Sequence, residues 1–208
     1  MKSDKEKETL ETWDKIANIY QDKFMEMNLY NTTYNYFSVF ISKENAQVLD
    51  IGCGPGNITK YLLSKNTNYK IVGIDYAPNM IELAKKNNPR AEFQVLDTRN
   101  IIDLNQKFDG IICGFCIPYL TSSETRQLIL DSYNLLNQNG VLYISFVEGN
   151  PEDSTFKTGS NGRRVYFNYY NLEDLKSDLS KNNFQLLETF KVDYTESEVH
   201  TIVVAQKL

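Results

Sequence analysis

Histidine is almost missing from this chain: 208 residues contain one, His200. A Ser-His-Asp triad or a histidine-based metal site has little material to be built from, and no metal is expected. Cysteine is scarce as well. Three cysteines make no disulfide framework and suit a reducing, cytoplasmic setting. No apolar run approaches the roughly 20 residues that a membrane span requires. The charged opening, Met1-Lys2-Ser3-Asp4-Lys5-Glu6-Lys7-Glu8, leads into no apolar signal core. Nor is positive charge in surplus. With 22 Lys and Arg against 27 Asp and Glu the net charge is −5, which argues against a general nucleic-acid or anionic-membrane surface. Repeats and linkers are lacking too, so residues 1–208 are expected to form a single domain.

What is present centres on Val48-Leu49-Asp50-Ile51-Gly52-Cys53-Gly54-Pro55-Gly56-Asn57. An apolar strand with an acid runs into three glycines at alternate positions, and a helical stretch (Ile58, Tyr61, Leu62) follows. Strand, tight turn and helix bring a ligand against bare backbone at a helix N-terminus. Gly52, Gly54 and Gly56 permit positive φ and close approach to the main chain. The dinucleotide fingerprint G-x-G-x-x-G needs glycine where this chain has Asn57. Asp50, two residues before the first glycine, would repel a pyrophosphate and attract an ammonium or sulfonium. The loop therefore leans toward a cationic, phosphate-free ligand.

Along the chain, Leu10, Trp13, Ile16, Ala17, Tyr20, Phe24 and Met27 are spaced for one amphipathic helix over 4–27. A second short helix carries Tyr34, Phe37, Phe40 and Ile41, and together these make residues 1–43 a helical lid. Strands and helices then alternate through residues 44–148. Strands are expected at Ala46–Ile51, Tyr69–Asp75, Glu92–Leu96, Phe108–Phe115 and Val141–Val147. Ser122-Ser123-Glu124 should cap the helix before the last of these, and Asn139-Gly140 should stop it. Successive β-α-β steps mean a parallel sheet with helices on both faces. Residues 149–170 break the rhythm as an insertion or cap, with a hairpin turn at Ser160-Asn161-Gly162. In residues 171–208, Asn171 caps a last helix. Phe184–Val192 and Val199–Lys207 follow with no helix between them, so they must pair antiparallel.

In doubly wound sheets the ligand sits beyond the carboxyl ends of the strands. The residues there are Asp50 with the glycine loop, Asp75-Tyr76, Asp97-Thr98 and Gly114-Phe115. Asp75 lies near the spacing of the acid that binds ribose hydroxyls. Asp97 is suited to accept from an adenine amino group, with Tyr76 and Met80 on either side of the ring. Any one such acid is commonly a cap or turn residue. Three at successive strand ends beside this loop form a constellation.

These residues resemble the class I S-adenosylmethionine-dependent methyltransferases. Val48–Gly56 is similar to the family's first motif, Val72–Met80 with Ala84 to its second, Phe93–Thr98 to its third and Phe108–Phe115 to its fourth. Leu136–Leu142 resembles the approach to the fifth strand. Trp13-Asp14 with Ala17 and Tyr20 resembles the lid of the small-molecule branch. The resemblance implies a three-layer, Rossmann-like α/β sandwich whose seven-stranded, mostly parallel sheet has its last strand antiparallel. It implies S-adenosylmethionine as cofactor. Asp50, Gly52 and Gly54 would border the methionine end, Asp75 the ribose, and Asp97 and Thr98 the adenine, with Tyr20 reaching in from the lid.

The fourth strand ends in Cys113-Gly114-Phe115-Cys116-Ile117-Pro118-Tyr119, without the Asn/Asp-Pro-Pro-Tyr/Phe of amino-methyltransferases that act on DNA bases or protein glutamine. That departure and the negative charge favour a small-molecule acceptor. Phe115 is expected beside the cofactor, and with Tyr119, Tyr166, Phe167, Tyr169 and Tyr170 it is expected to line an acceptor pocket, Tyr119, Tyr166 and Tyr169 foremost. Cys113 and Cys116 read as core residues, Arg163-Arg164 as a solvated tip, and His200 as structural. Glu148 stands where a base would act, though a cap suits it equally. The expected function is methyl transfer to a small molecule. A non-catalytic S-adenosylmethionine-binding module and a nicotinamide-dependent oxidoreductase are the alternatives.

Overall fold

The strand residues Val48–Ile51 and their counterparts build the centre of the molecule, and a computed structural model describes residues 4–41, 43–159 and 162–208. Strand β1 (Gln47–Ile51) is flanked in parallel by β2 (Lys70–Asp75) and β4 (Phe108–Gly114). Strand β3 (Glu92–Val95) lies outside β2, and β5 (Leu136–Val147) outside β4. Two long strands, β8 (Phe184–Thr195) and β9 (Glu198–Lys207), complete the order β3-β2-β1-β4-β5-β9-β8. Strand β9 runs antiparallel to both neighbours, so the last strand is the reversed one. A separate two-stranded ribbon, β6 (Thr155–Thr158) with β7 (Arg164–Phe167), stands apart from the main sheet. Its expected turn residues Ser160 and Asn161 lie outside the described residues, although Gly162 has the positive φ of a turn glycine.

Side-chain alternation with a period of two sorts the strand residues into two cores. Leu49, Ile51, Ile111, Cys113, Leu142 and Ile144 face α6 (Ser122–Leu135) and α7 (Leu172–Lys181). Val48, Ile71, Ile112, Val141 and Tyr143 face α3 (Asn31–Val39) and α4 (Asn57–Lys65). Helix α5 (Pro78–Asn87) takes its proline at the first turn and covers the β2–β3 end with Ile81 and Ala84. The result is a three-layer sandwich, since a parallel sheet must be covered on both faces. Among the described residues no helix is long and apolar enough to cross a membrane.

Three boundaries differ from expectation. The helix expected over 4–27 is two, α1 (Asp4–Lys15) and α2 (Ala17–Phe24). Each half has its own partner. Thr12 and Thr9 of α1 are hydrogen-bonded to the ribbon, through the Arg164 carbonyl at 2.8 Å and the Tyr166 N–H at 3.0 Å. Ala17 of α2 packs on Ala77 and Met80. The cap of α6 is Thr121, not Ser122, because only Thr121 stands three residues before Glu124. Its hydroxyl accepts the Glu124 N–H, and the Glu124 carboxylate accepts the Thr121 N–H at 2.6 Å. Strand β5 begins at Leu136, with Phe108 as its first partner, rather than after Asn139-Gly140. Asn139 is accommodated inside the strand at φ 61°.

Candidate functional site

Beyond the carboxyl ends of β1, β2 and β4 lies a cavity of about 290 Å³. Its floor begins at the glycine loop, where Gly52, Gly54 and Gly56 have φ of 66°, 53° and 84°. Gly56 is the N-cap of α4, and a Cβ there would stand 2.3 Å from the Asn88 amide nitrogen. That amide instead donates to the Gly56 carbonyl at 3.0 Å, tying the loop to the end of α5. Gly52 and Gly54 line the cavity.

Asp75, at the end of β2, is also on the wall. Its Oδ2 accepts the Gly54 N–H at 3.0 Å and its Oδ1 the Ala77 N–H at 2.9 Å. Burial outweighs these bonds and pushes the carboxyl up to about 6. Tyr76, Met80, Asp97 and Thr98 continue the same wall. The Asp97 carboxylate accepts from the backbone N–H of Arg99 at 3.1 Å and from its guanidinium at 3.0 Å. The Thr98 hydroxyl lies 3.2 Å from the Cys116 sulfur. Tyr20 reaches over the loop from α2, 3.5 Å from where a Gly54 Cβ would be, with Trp13 and Phe24 against its ring.

Asp50 requires a correction, for it does not border the cavity. Its side chain is fully buried behind the loop, where Oδ2 accepts the Thr59 hydroxyl at 2.7 Å and Oδ1 has no partner. Burial pushes this carboxyl up to about 7, against the lowering effect of Thr59. The strand period turns Asp50 to the sheet face covered by α4, while the backbone after it opens toward the cavity.

The other half of the cavity is aromatic. Phe115 follows β4 at φ 53°, a left-handed conformation uncommon for a bulky residue, and its N–H donates to the Ser145 hydroxyl at 2.9 Å. Tyr119 lines the wall edge-on to Trp13 and Phe167. Tyr166 and Tyr169 do not line it, which corrects their expected place in the pocket. Tyr166 and Phe167 are neighbours in β7 and point to opposite faces. Phe167 faces the cavity, whereas Tyr166 packs on Phe156 and donates to the Ser154 carbonyl at 3.1 Å. Tyr169 covers Gly149, where a Cβ would stand 2.7 Å from its ring.

The charge on the wall suits a ligand that brings hydroxyls and positive charge rather than phosphate. Arg99 is the wall's basic side chain next to Asp97, and it is met by Glu6 at 3.0 Å, Asp97 at 3.0 Å and Glu124 at 2.5 Å. Its charge is thereby neutralised, while the Trp13 indole N–H has no protein acceptor.

Residues 48–140 match a family model described as a methyltransferase domain. That match covers a little under half of the chain, and over it the chain is similar to methyltransferases. A putative methyltransferase of Invertebrate iridescent virus 6 is 30% identical over 115 residues, 55% of this chain and 42% of that protein. The malonyl-[acyl-carrier protein] O-methyltransferase of Acetivibrio thermocellus is 44% identical over 107 residues, 50% of this chain and 36% of that protein. The chain thus spans less than half the length of these two curated relatives. In fold it is similar to the Burkholderia thailandensis 1,6-didemethyltoxoflavin-N1-methyltransferase, solved with bound 1,6-didemethyltoxoflavin and S-adenosylhomocysteine. The TM-score is 0.74 at 18% identity, covering 97% of this chain and 88% of that one.

Helix α1 is held beside the cavity by polar contacts. Besides the Glu6–Arg99 pair, Tyr76 donates to the Glu6 carbonyl at 2.9 Å, and Asp14 accepts the Asn79 N–H at 2.8 Å. Sequence reasoning missed a polar group on the aromatic side. His200, read as structural, lines the cavity with Tyr30, Tyr194 and Glu198. Spacing offered no signal for it, because Tyr30 and His200 are 170 positions apart. The only hint was a lone histidine in an otherwise apolar strand.

Proposed function

We propose that this chain transfers the methyl group of S-adenosylmethionine to a small, flat acceptor, in the cytoplasm. The observation that carries the reading is a single cavity whose acid-lined half and aromatic half are continuous. In this reading residues 1–43 are the lid, 44–148 hold the cofactor, 149–170 cap the acceptor side and 171–208 complete the sheet.

When bound, the cofactor supplies a methyl group already activated on a sulfonium. Asp75 would accept from the ribose hydroxyls, its two backbone donors fixing the carboxylate in place. Asp97 would accept from the adenine amino group beside Thr98, with Tyr76 and Met80 flanking the ring. Gly52 and Gly54 would let the amino-acid end lie on the main chain, under Tyr20. Asp50 would brace the loop from behind through its bond with Thr59. In-line displacement then needs orientation above all, worth up to ~7–11 kcal/mol in well-aligned systems. Aromatic faces near a sulfonium add about 0.5–2 kcal/mol. Phe115, Tyr119 and Phe167 would hold the acceptor and exclude water.

Calorimetry with S-adenosylmethionine, S-adenosylhomocysteine and NADH tests this reading. The first two are expected to bind and NADH is not. Tight NADH binding without binding of the homocysteine product would overturn it. Labelled-methyl transfer across a metabolite panel then separates an enzyme from a binding module, which would bind the cofactor and label nothing.

A further inference from the structure

The chain's one histidine is built into a hydrogen-bonded line that ends on the cavity wall. His200 Nε2 lies 2.8 Å from Glu198 Oε1, and Nδ1 lies 2.6 Å from the Tyr30 hydroxyl. A carboxylate can only accept, so Nε2 carries the imidazole proton and Nδ1 accepts from Tyr30. The ring has little freedom. Tyr194 stacks on it with centroids 4.6 Å apart, and Phe115 meets it edge-on at 4.7 Å. Burial pushes the Tyr30 hydroxyl pKa well up, and Tyr194, Tyr20 and Glu198 push it further, so Tyr30 rests protonated.

The position matters as much as the bonding. Strand β9 stands beyond β4 and β5, on the opposite side of β1 from Asp75 and Asp97. Tyr30 touches Phe115, with ring centroids 5.3 Å apart, where the two halves of the cavity meet. A cofactor held by β1, β2 and the residues after β3 leaves this end for the acceptor.

We infer that Tyr30, His200 and Glu198 form a proton relay that deprotonates a phenol-type hydroxyl acceptor as it takes the methyl group. This rests on the methyl-transfer reading above. The acceptor O–H bond breaks and its proton goes to the Tyr30 oxygen, while the Tyr30 proton passes to His200 Nδ1. The acceptor oxygen's lone pair forms the new C–O bond, and the pair of the broken C–S bond stays on the departing sulfur. His200 becomes an imidazolium beside the Glu198 carboxylate. That carboxylate is 39% exposed and can hand the proton to solvent. An acceptor without an X–H proton has no use for such a line, and the flat walls of Phe115, Tyr119 and Phe167 fit an aromatic ring.

The test uses catechol as the probe acceptor with labelled S-adenosylmethionine. Labelled product is expected from wild type, with kcat rising with pH through one protonation step. The other titratable groups around the relay are Tyr20, Tyr34, Tyr143 and Tyr194, with the Lys23 ammonium 5.9 Å from the Tyr194 ring. His200→Gln and Tyr30→Phe should each lower kcat roughly 10²–10⁴-fold and flatten the profile, while S-adenosylhomocysteine affinity by calorimetry stays within about threefold. Glu198→Gln removes only the outer carboxylate, so it should fold normally and still lower kcat about tenfold or more. With one histidine, nitrogen NMR of the imidazole reads the relay directly. It should show the proton on Nε2, and an Nδ1 resonance that shifts on Tyr30→Phe. Unchanged kcat and pH profile in folded variants, a proton on Nδ1, or no product from catechol despite homocysteine binding would each overturn the relay. Failure of wild type to bind the homocysteine product would instead defeat the methyltransferase reading.

Discussion

Asp75 at the end of β2 accepts the backbone N–H of Gly54 in the loop after β1, at 3.0 Å. This bond joins two motifs 21 positions apart and makes one carboxylate both a support for the loop and a wall of the cavity. Its other oxygen holds the Ala77 N–H at 2.9 Å, at the start of α5. Both oxygens keep a lone pair for a ligand hydroxyl.

Replacing Asp75 therefore removes more than one contact. Asp75→Ala should weaken S-adenosylhomocysteine binding roughly 10- to 100-fold, since hydrogen bonds to a charged group contribute ~1.5–3 kcal/mol each. Calorimetry on the folded variant checks this. Undiminished affinity would take the ribose away from Asp75.

Asp50 gives the stability a pH dependence of defined sign. Its folded pKa is up at about 7 because of burial, against an unfolded value of about 4. Between the two the folded state binds more protons, so this contribution to stability falls as pH rises through that window. Asp75, raised to about 6, acts in the same direction. Asp50→Asn carries no charge and keeps an acceptor for Thr59. It should narrow the drop in melting temperature between pH 5 and pH 8, and an unaltered drop would assign the dependence to other groups.

Gly56→Ala is expected to be strongly destabilising. Left-handed φ costs a non-glycine residue about 1–2 kcal/mol, and the new Cβ would collide with Asn88, breaking its 3.0 Å bond to the Gly56 carbonyl. Urea unfolding should show a loss of about 2–4 kcal/mol. Asn88→Ala in the same chain should relieve the collision and leave the conformational part, so the two losses should not add.

Helix α1 can be loosened without touching the acids on the cavity wall. Glu6→Gln removes the charge of α1 that meets Arg99 at 3.0 Å. The pair is partly exposed, so the effect on stability should be within about 1 kcal/mol. Faster amide exchange in residues 4–15 and quicker release of S-adenosylhomocysteine are expected. Equal exchange in both proteins would show that Thr9 and Thr12 on the ribbon suffice to hold α1.

Local chemistry made much of this legible beforehand. Glycines at alternate positions, acids at the ends of β1, β2 and β3, and two long strands without a helix between them are short-range patterns. Each follows from the conformational needs of a few neighbouring residues. The less legible features depend on direction. Asp50 and the glycines Gly52 and Gly54 are close in sequence, yet the acid faces α4 and the glycines face the cavity. Tyr166 and Phe167 divide in the same way. Both Tyr166 and Asp50 were placed by residue type, whereas strand alternation decided where they point.

By itself the sequence determined the layered α/β architecture, the reversed last strand and the cofactor class expected from the loop, because all three are written within windows of ten to thirty residues. Tertiary structure alone decided that Tyr30, from the start of the chain, meets His200 and Glu198 near its end. That meeting requires β9 to insert beside β5 and α3 to cross above it. No local preference encodes it. It comes from burying two apolar sheet faces at once, which brings distant polar groups together and leaves them to satisfy one another.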